Sequence, residues 1–147
     1  MRCLLLLSTL VALTVAQSTD SPNKRCKCEI GTREEHHHED EFTVLFQFHN
    51  TWDQDCTHSA EDLCREECET NRDVLEAFGG WSVIVPDNNG GDNSTVGEIA
   101  CRNLGREVGG DGLETSLYTA ICDEGFKEAG HGIHERLCCS DGYQVKC

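Results

Sequence analysis

The sequence predicts a small disulfide-rich α+β domain, an antiparallel sheet with two helices on one face. Three observations predict it. The first is a leader followed by an even set of cysteines. Met1 to Ala16 reads as a signal peptide: Arg2 is the positive n-region and Leu4 to Leu13 an apolar core too short to span a bilayer. Thr14 and Ala16 offer a cleavage site before Gln17. Of 11 cysteines, Cys3 leaves with the leader. Cys26, Cys28, Cys56, Cys64, Cys68, Cys101, Cys122, Cys138, Cys139 and Cys147 remain, and in an exported chain such a set is a disulfide framework. The second observation is strand alternation through Phe42 to His49, and the third is helical spacing from Thr57 to Phe78.

Taken in order, residues 17–25 are polar, contain Pro22 and have nothing to bury, so they read as a flexible lead-in. Lys24-Arg25 also has the form of a dibasic processing site. Residues 26–147 form a single disulfide-stapled domain, because the cysteines run to the last residue and leave no uncrosslinked half. Cys26-Lys27-Cys28-Glu29-Ile30 alternates as a strand. It is expected to pair antiparallel with the strand in Glu41 to Trp52, where Phe42, Val44, Phe46 and Phe48 occupy one face and Thr43, Leu45, Gln47 and His49 the other.

The helix that follows takes Ser59 as N-cap, with Glu61 and Asp62 in its first turn. Cys64, Cys68, Asn71, Leu75 and Phe78 share a face, while Glu66, Glu69, Arg72 and Asp73 lie away from it. Gly79-Gly80 ends the helix, and Trp81 to Val85 reads as a short strand broken by Pro86. After a loop from Asp87 to Asn93, the capping box Thr95-Val96-Gly97-Glu98 opens a second helix that Gly105 closes. In Leu113 to Cys122 the spacing of Leu113, Leu117 and Ile121 fits a helix, while Tyr118 to Cys122 is β-prone and short and favours a strand. Arg136 to Cys147 reads as a hairpin turning on Asp141-Gly142. Cys64 and Cys68 should bond to different points on the sheet. Adjacent Cys138 and Cys139 face opposite ways and should bond to different layers. The remaining connectivity stays open.

Charge narrows the partners. Lys and Arg number 12 against 27 Asp and Glu; without Arg2, 11 against 27 makes the mature charge −16. That field disfavours nucleic acid and anionic membranes, and no segment after the leader is apolar enough for membrane insertion. It suits cations, a mineral surface or a basic extracellular protein, and it also serves plain solubility.

Two segments carry candidate metal ligands, for which the expectation is weak Ca²⁺ or Zn²⁺ binding and no firm cofactor. His36, His37 and His38 are flanked by acids that ease the approach of Zn²⁺ or Cu²⁺, but consecutive residues splay apart, so a solvated hairpin loop is preferred. Asp87, Asn89 and Glu98 fall at positions one, three and twelve of a calcium loop, with Asp92 at position six where an EF-hand needs Gly; an EF-hand is rejected and a looser carboxylate site retained. His131 and His134 stand three apart in a glycine-rich stretch read as a surface loop. Asn93-Ser94-Thr95 is a glycosylation sequon at Asn93. Neither Gly-x-Ser-x-Gly nor His-Glu-x-x-His occurs, and no catalytic residue is assigned.

The opening Cys26-Lys27-Cys28-Glu29, the helical Cys64 and Cys68, Cys101 with Leu104-Gly105, and the closing Leu137-Cys138-Cys139-Ser140-Asp141-Gly142 with Cys147 resemble small cysteine-rich secreted proteins of molluscs, including shell-associated ones. The resemblance implies an extracellular location and a matrix or mineral-associated role, and it transfers no binding residue. The expected function is therefore that of a secreted acidic, non-catalytic protein of an extracellular matrix or fluid. The alternative is a diffusible ligand, a pheromone or toxin acting on a receptor or channel.

Overall fold

The cysteine-bearing segment at the start of the domain forms the second strand of the largest sheet. The computed structural model describes residues 26–33, 42–48, 56–87, 93–122 and 124–147. The leader, the lead-in and most of the Gly31 to Asp40 connection lie outside them. In chain order the elements are β1 (Cys26–Thr32), β2 (Thr43–Phe48), α1 (His58–Ala77), a 3₁₀ turn (Gly80–Ser82), β3 (Ile84–Pro86), β4 (Asn93–Thr95), α2 (Val96–Leu104), β5 (Val108–Leu113), β6 (Ser116–Ile121), β7 (Lys127–His131), β8 (Leu137–Ser140) and β9 (Tyr143–Val145). The class is α+β, with the antiparallel strands divided among a β2-β1-β6-β7 sheet, a β3-β4 pair and a β5-β8-β9 sheet.

β1 pairs antiparallel with β2, as its alternation predicts, and on its other side with β6. Cys26, Cys28 and Ile30 stand opposite Ile121, Thr119 and Leu117, so these six share the face on which α1 packs. The phenylalanine face of β2 is corrected. Ile30 pairs with Phe46 but Gly31 with Val44, so Leu45 is an extra residue in the ladder. Such a bulge puts two successive side chains on nearly the same side. Leu45 is thereby fully buried, Phe46 and Phe48 pack partly on the core, and Val44 turns outward. Phe42, beyond the bulge, stacks on Tyr118 at 3.8 Å. A strict period of two cannot register an inserted residue.

α1 differs from its sequence reading at three places. Its N-cap is Thr57, whose hydroxyl accepts from Ala60 N, while Ser59 lies inside the first turn and hydrogen-bonds Thr57. Arg72, expected outside, is buried with Ala60, Cys64, Cys68 and Leu75. Its guanidinium donates to Asp73 and to the His131 carbonyl, which offsets the cost of enclosing the charge. Phe78, expected inside, is 79 % exposed. Trp81 is likewise no strand residue: it sits in the 3₁₀ turn, fully buried, with Nε1 donating to the Glu135 carbonyl at 2.7 Å. Tertiary burial of the indole overrides its strand propensity.

The second helix forms as its signals predict. Thr95 and Glu98 complete the capping box, and Gly105 closes α2 at φ 68°. The terminal hairpin turns on Asp141 and Gly142, at φ 51° and 79°. β4, β5 and β7 have no counterpart in the sequence reading. β5 is rich in glycine, and β7 is an edge strand of Lys-Glu-Ala-Gly-His with no apolar alternation. Among the described residues no helix is long and apolar enough to cross a membrane.

Five disulfides hold these elements: Cys26–Cys64, Cys28–Cys68, Cys56–Cys122, Cys101–Cys139 and Cys138–Cys147. Cys64 and Cys68 reach different partners, and Cys138 and Cys139 bond to different elements. Peptide mapping of the unreduced protein is expected to return these five pairs with no alkylatable thiol. Recovery of a Cys64–Cys68 peptide would contradict the arrangement.

Glu29, on the outer face of β1, is 7 % exposed, and its Oε2 has no hydrogen-bond partner among the described residues. Burial raises its carboxyl above the ordinary 4.5, against an opposing pull from the Lys27 charge. A raised carboxyl favours the folded state below the ordinary value, and that advantage is lost as pH climbs through the folded one. Glu29→Gln is accordingly expected to raise Tm at pH 7, with the gain shrinking toward zero below about pH 4. Melting curves at the two pH values check this; a constant offset would rule out titration as the cause.

Candidate metal centre

The stretch from His131 to Glu135, running from the last residue of β7 toward β8, is bound to its surroundings at every residue. Arg72 of α1 donates to the His131 carbonyl at 2.8 Å. Gly132 N donates to the Thr115 carbonyl at 2.7 Å, and Ile133 N to the Thr115 hydroxyl at 3.2 Å. Ile133 is buried, and the Glu135 carbonyl accepts from Trp81. Gly132 is required here, since a Cβ would lie against the Thr115 hydroxyl and 3.0 Å from its carbonyl carbon.

Glu76, in the last turn of α1, closes the arrangement. One of its oxygens accepts from His134 N at 2.5 Å, and the two oxygens lie 2.6 and 2.8 Å from His134 Nδ1. An ionised carboxylate only accepts, so in this contact Nδ1 is the donor. The His131 ring stands beside it, centroids 4.0 Å apart. One ligating atom from each of Glu76, His131 and His134 falls within 4.8 Å of the others. Partial burial pushes the Glu76 carboxyl up. The His134 hydrogen bonds, with the charges of His134 and Arg72, outweigh that effect and hold it below its ordinary value.

Open clefts flank the cluster. One of about 380 Å³ is lined by Glu76, Gly79, Gly80, Ile133, His134 and Glu135. Another, of about 450 Å³, takes in His131 with Arg33, Tyr118 and Glu128. Two imidazoles and a carboxylate are a donor set for zinc or copper. Cys26, Cys28 and Cys68 also converge, but their sulfurs are consumed in disulfides.

The other predicted ligands are distributed differently. Asp87 accepts from Arg102 and from Ser94 Oγ, while Glu98 accepts from Thr95 N to cap α2. Asn89 and Asp92 lie outside the described residues, as do His36, His37 and His38. Asn93 is exposed at the start of β4. Sequence reasoning noticed His131 and His134 but set them in a free loop, and it gave Glu76 no role. The overlooked signal is Ile133, a lone large apolar residue amid glycine and histidine that anchors the stretch.

No protein-family model, curated protein or solved structure matches the chain. Family membership therefore adds nothing to the geometry.

The Glu76–His134 contact has a pH signature. A depressed carboxyl adds stability above its ordinary value of 4.5, and that stability disappears as pH falls through the folded value. Glu76→Gln is expected to lower Tm near neutrality and to converge on the unaltered protein in acid, below about pH 4. Parallel melting curves test it; divergence growing toward acid would reverse the assigned sign.

Proposed function

We propose that the chain is a secreted, acidic, non-catalytic protein of an extracellular matrix or fluid, of the shell- or mineral-associated kind that its cysteine pattern resembles. Its acidic surface meets cations, a mineral face or a basic extracellular protein. The observation that carries this reading is the set of five closed disulfides, which tie strands, helices and the final residue together. Such frameworks form and persist in oxidising compartments. Exposed Asn93 is a fitting place for a glycan.

Outward-facing apolar residues favour a second reading. Leu63 and Val74 of α1 and its C-cap Phe78 are exposed, and Val74 and Phe78 are one turn apart. A diffusible ligand uses such residues against a receptor or channel.

Calcium titration separates the two. Carboxylates acting through a summed field give shallow, multiple binding that fades as salt shortens the screening length to about 8 Å at 0.15 M. That behaviour is expected for the mature protein. One tight site indifferent to salt would replace surface binding with a preorganised cage. Absence of binding at both salt levels would leave the receptor-ligand reading.

A further inference from the structure

We propose that Glu76, His131 and His134 form a binding site for one divalent transition-metal ion of the zinc or copper class. The site is independent of the acidic-surface reading above, because its donors are two imidazoles and a carboxylate rather than a field of oxygens. Calcium prefers six to eight oxygen ligands; zinc takes nitrogen together with oxygen in a set of four.

The donors come from separated elements and converge. Glu76 projects from the last turn of α1, whereas His131 ends β7 and His134 lies in the connection to β8. This answers the objection to His36, His37 and His38, whose adjacency in the chain works against convergence. The donor atoms lie within 4.8 Å of one another. To stand about 2.0–2.2 Å from one ion they need a small side-chain shift, in which the Glu76 oxygens and His134 Nδ1, 2.6 and 2.8 Å apart, separate. His134 and its neighbour have the freedom to make it, since both rings are exposed while their backbones are pinned.

The ion binds a Glu76 oxygen and one unprotonated ring nitrogen from each of His131 and His134, and any proton displaced from a ligating nitrogen leaves to water. The movement is confined to side chains, and water supplies the fourth ligand from the adjoining cleft. Arg72 is a positioning residue. Its guanidinium holds the His131 carbonyl and is neutralised by Asp73.

A second feature of α1 favours a cation at this place. The helix has 20 residues and no basic residue in its last turn, so the negative end of its dipole is uncompensated by a side-chain charge there. Glu76 adds a further negative charge at that end. A bound divalent ion neutralises both.

The test is titration of the oxidised mature protein with Zn²⁺ in a background of excess Ca²⁺. A parallel series uses a background of His36→Gln, His37→Gln and His38→Gln, which removes the histidine run as a competing site. One Zn²⁺ per chain is expected to bind in that background, and Glu76→Gln or His134→Gln to weaken it at least about tenfold. Imidazole ¹⁵N spectra give a readout that needs no variant at the site, with His131 and His134 nitrogens shifting on addition of Zn²⁺. Loss of all binding in the background, full affinity in both site variants, or shifts confined to other histidines would overturn the assignment.

Discussion

Two neighbouring disulfides set the frame on which the other contacts are arranged. Cys26 and Cys28 are two residues apart on β1, and Cys64 and Cys68 four apart on α1. Two strand residues advance about 6.7 Å and four helical residues about 6 Å. The two spacings match, so the bridges form side by side without bending either element. Because the lower-numbered cysteines pair together, α1 runs in the same direction as β1. Each bridge closes a long stretch of chain and contributes about 2–4 kcal/mol, a magnitude that depends on the model of the unfolded state.

The five bridges fall into two groups. Cys26–Cys64, Cys28–Cys68 and Cys56–Cys122 join β1, α1 and the end of β6; Cys101–Cys139 and Cys138–Cys147 join α2, β8 and the chain end. Among the described residues no bridge crosses between these groups. Packing and hydrogen bonds make the junction instead. Leu45 is buried where β2 meets α2, and Asn103 of α2 donates to its carbonyl at 3.0 Å. Trp81 extends the same junction by its hold on Glu135.

The metal centre stands on that arrangement. Glu76 belongs to the helix of the first group, while His134 lies on the stretch that leads into the second. A metal there links the end of α1 to the β7–β8 connection, a position where the described chain has no disulfide. The two proposed modes of cation binding rest on different physics: long-range and screened for the acidic surface, contact-distance and donor-specific for this site.

Local chemistry alone determined much of the protein. The capping box at Thr95 and Glu98, the left-handed Gly105 and the Asp141-Gly142 turn each depend on a few adjacent residues, and all three formed as read. Cys64 and Cys68 were placed on the inward face of α1 by helical period, which is also local. What needed tertiary structure was every feature decided by a distant partner. The bulge at Leu45 depends on pairing with β1, the burial of Arg72 on the His131 carbonyl, and the position of Trp81 on the space beneath Glu135. β5 and β7 carry no periodicity of their own and become strands because β8 and β6 offer their edges. The metal centre is the extreme case. Glu76 and His134 are 58 residues apart, and nothing local to either marks the other as its partner. Their approach follows from disulfides, a buried tryptophan and a buried isoleucine acting together.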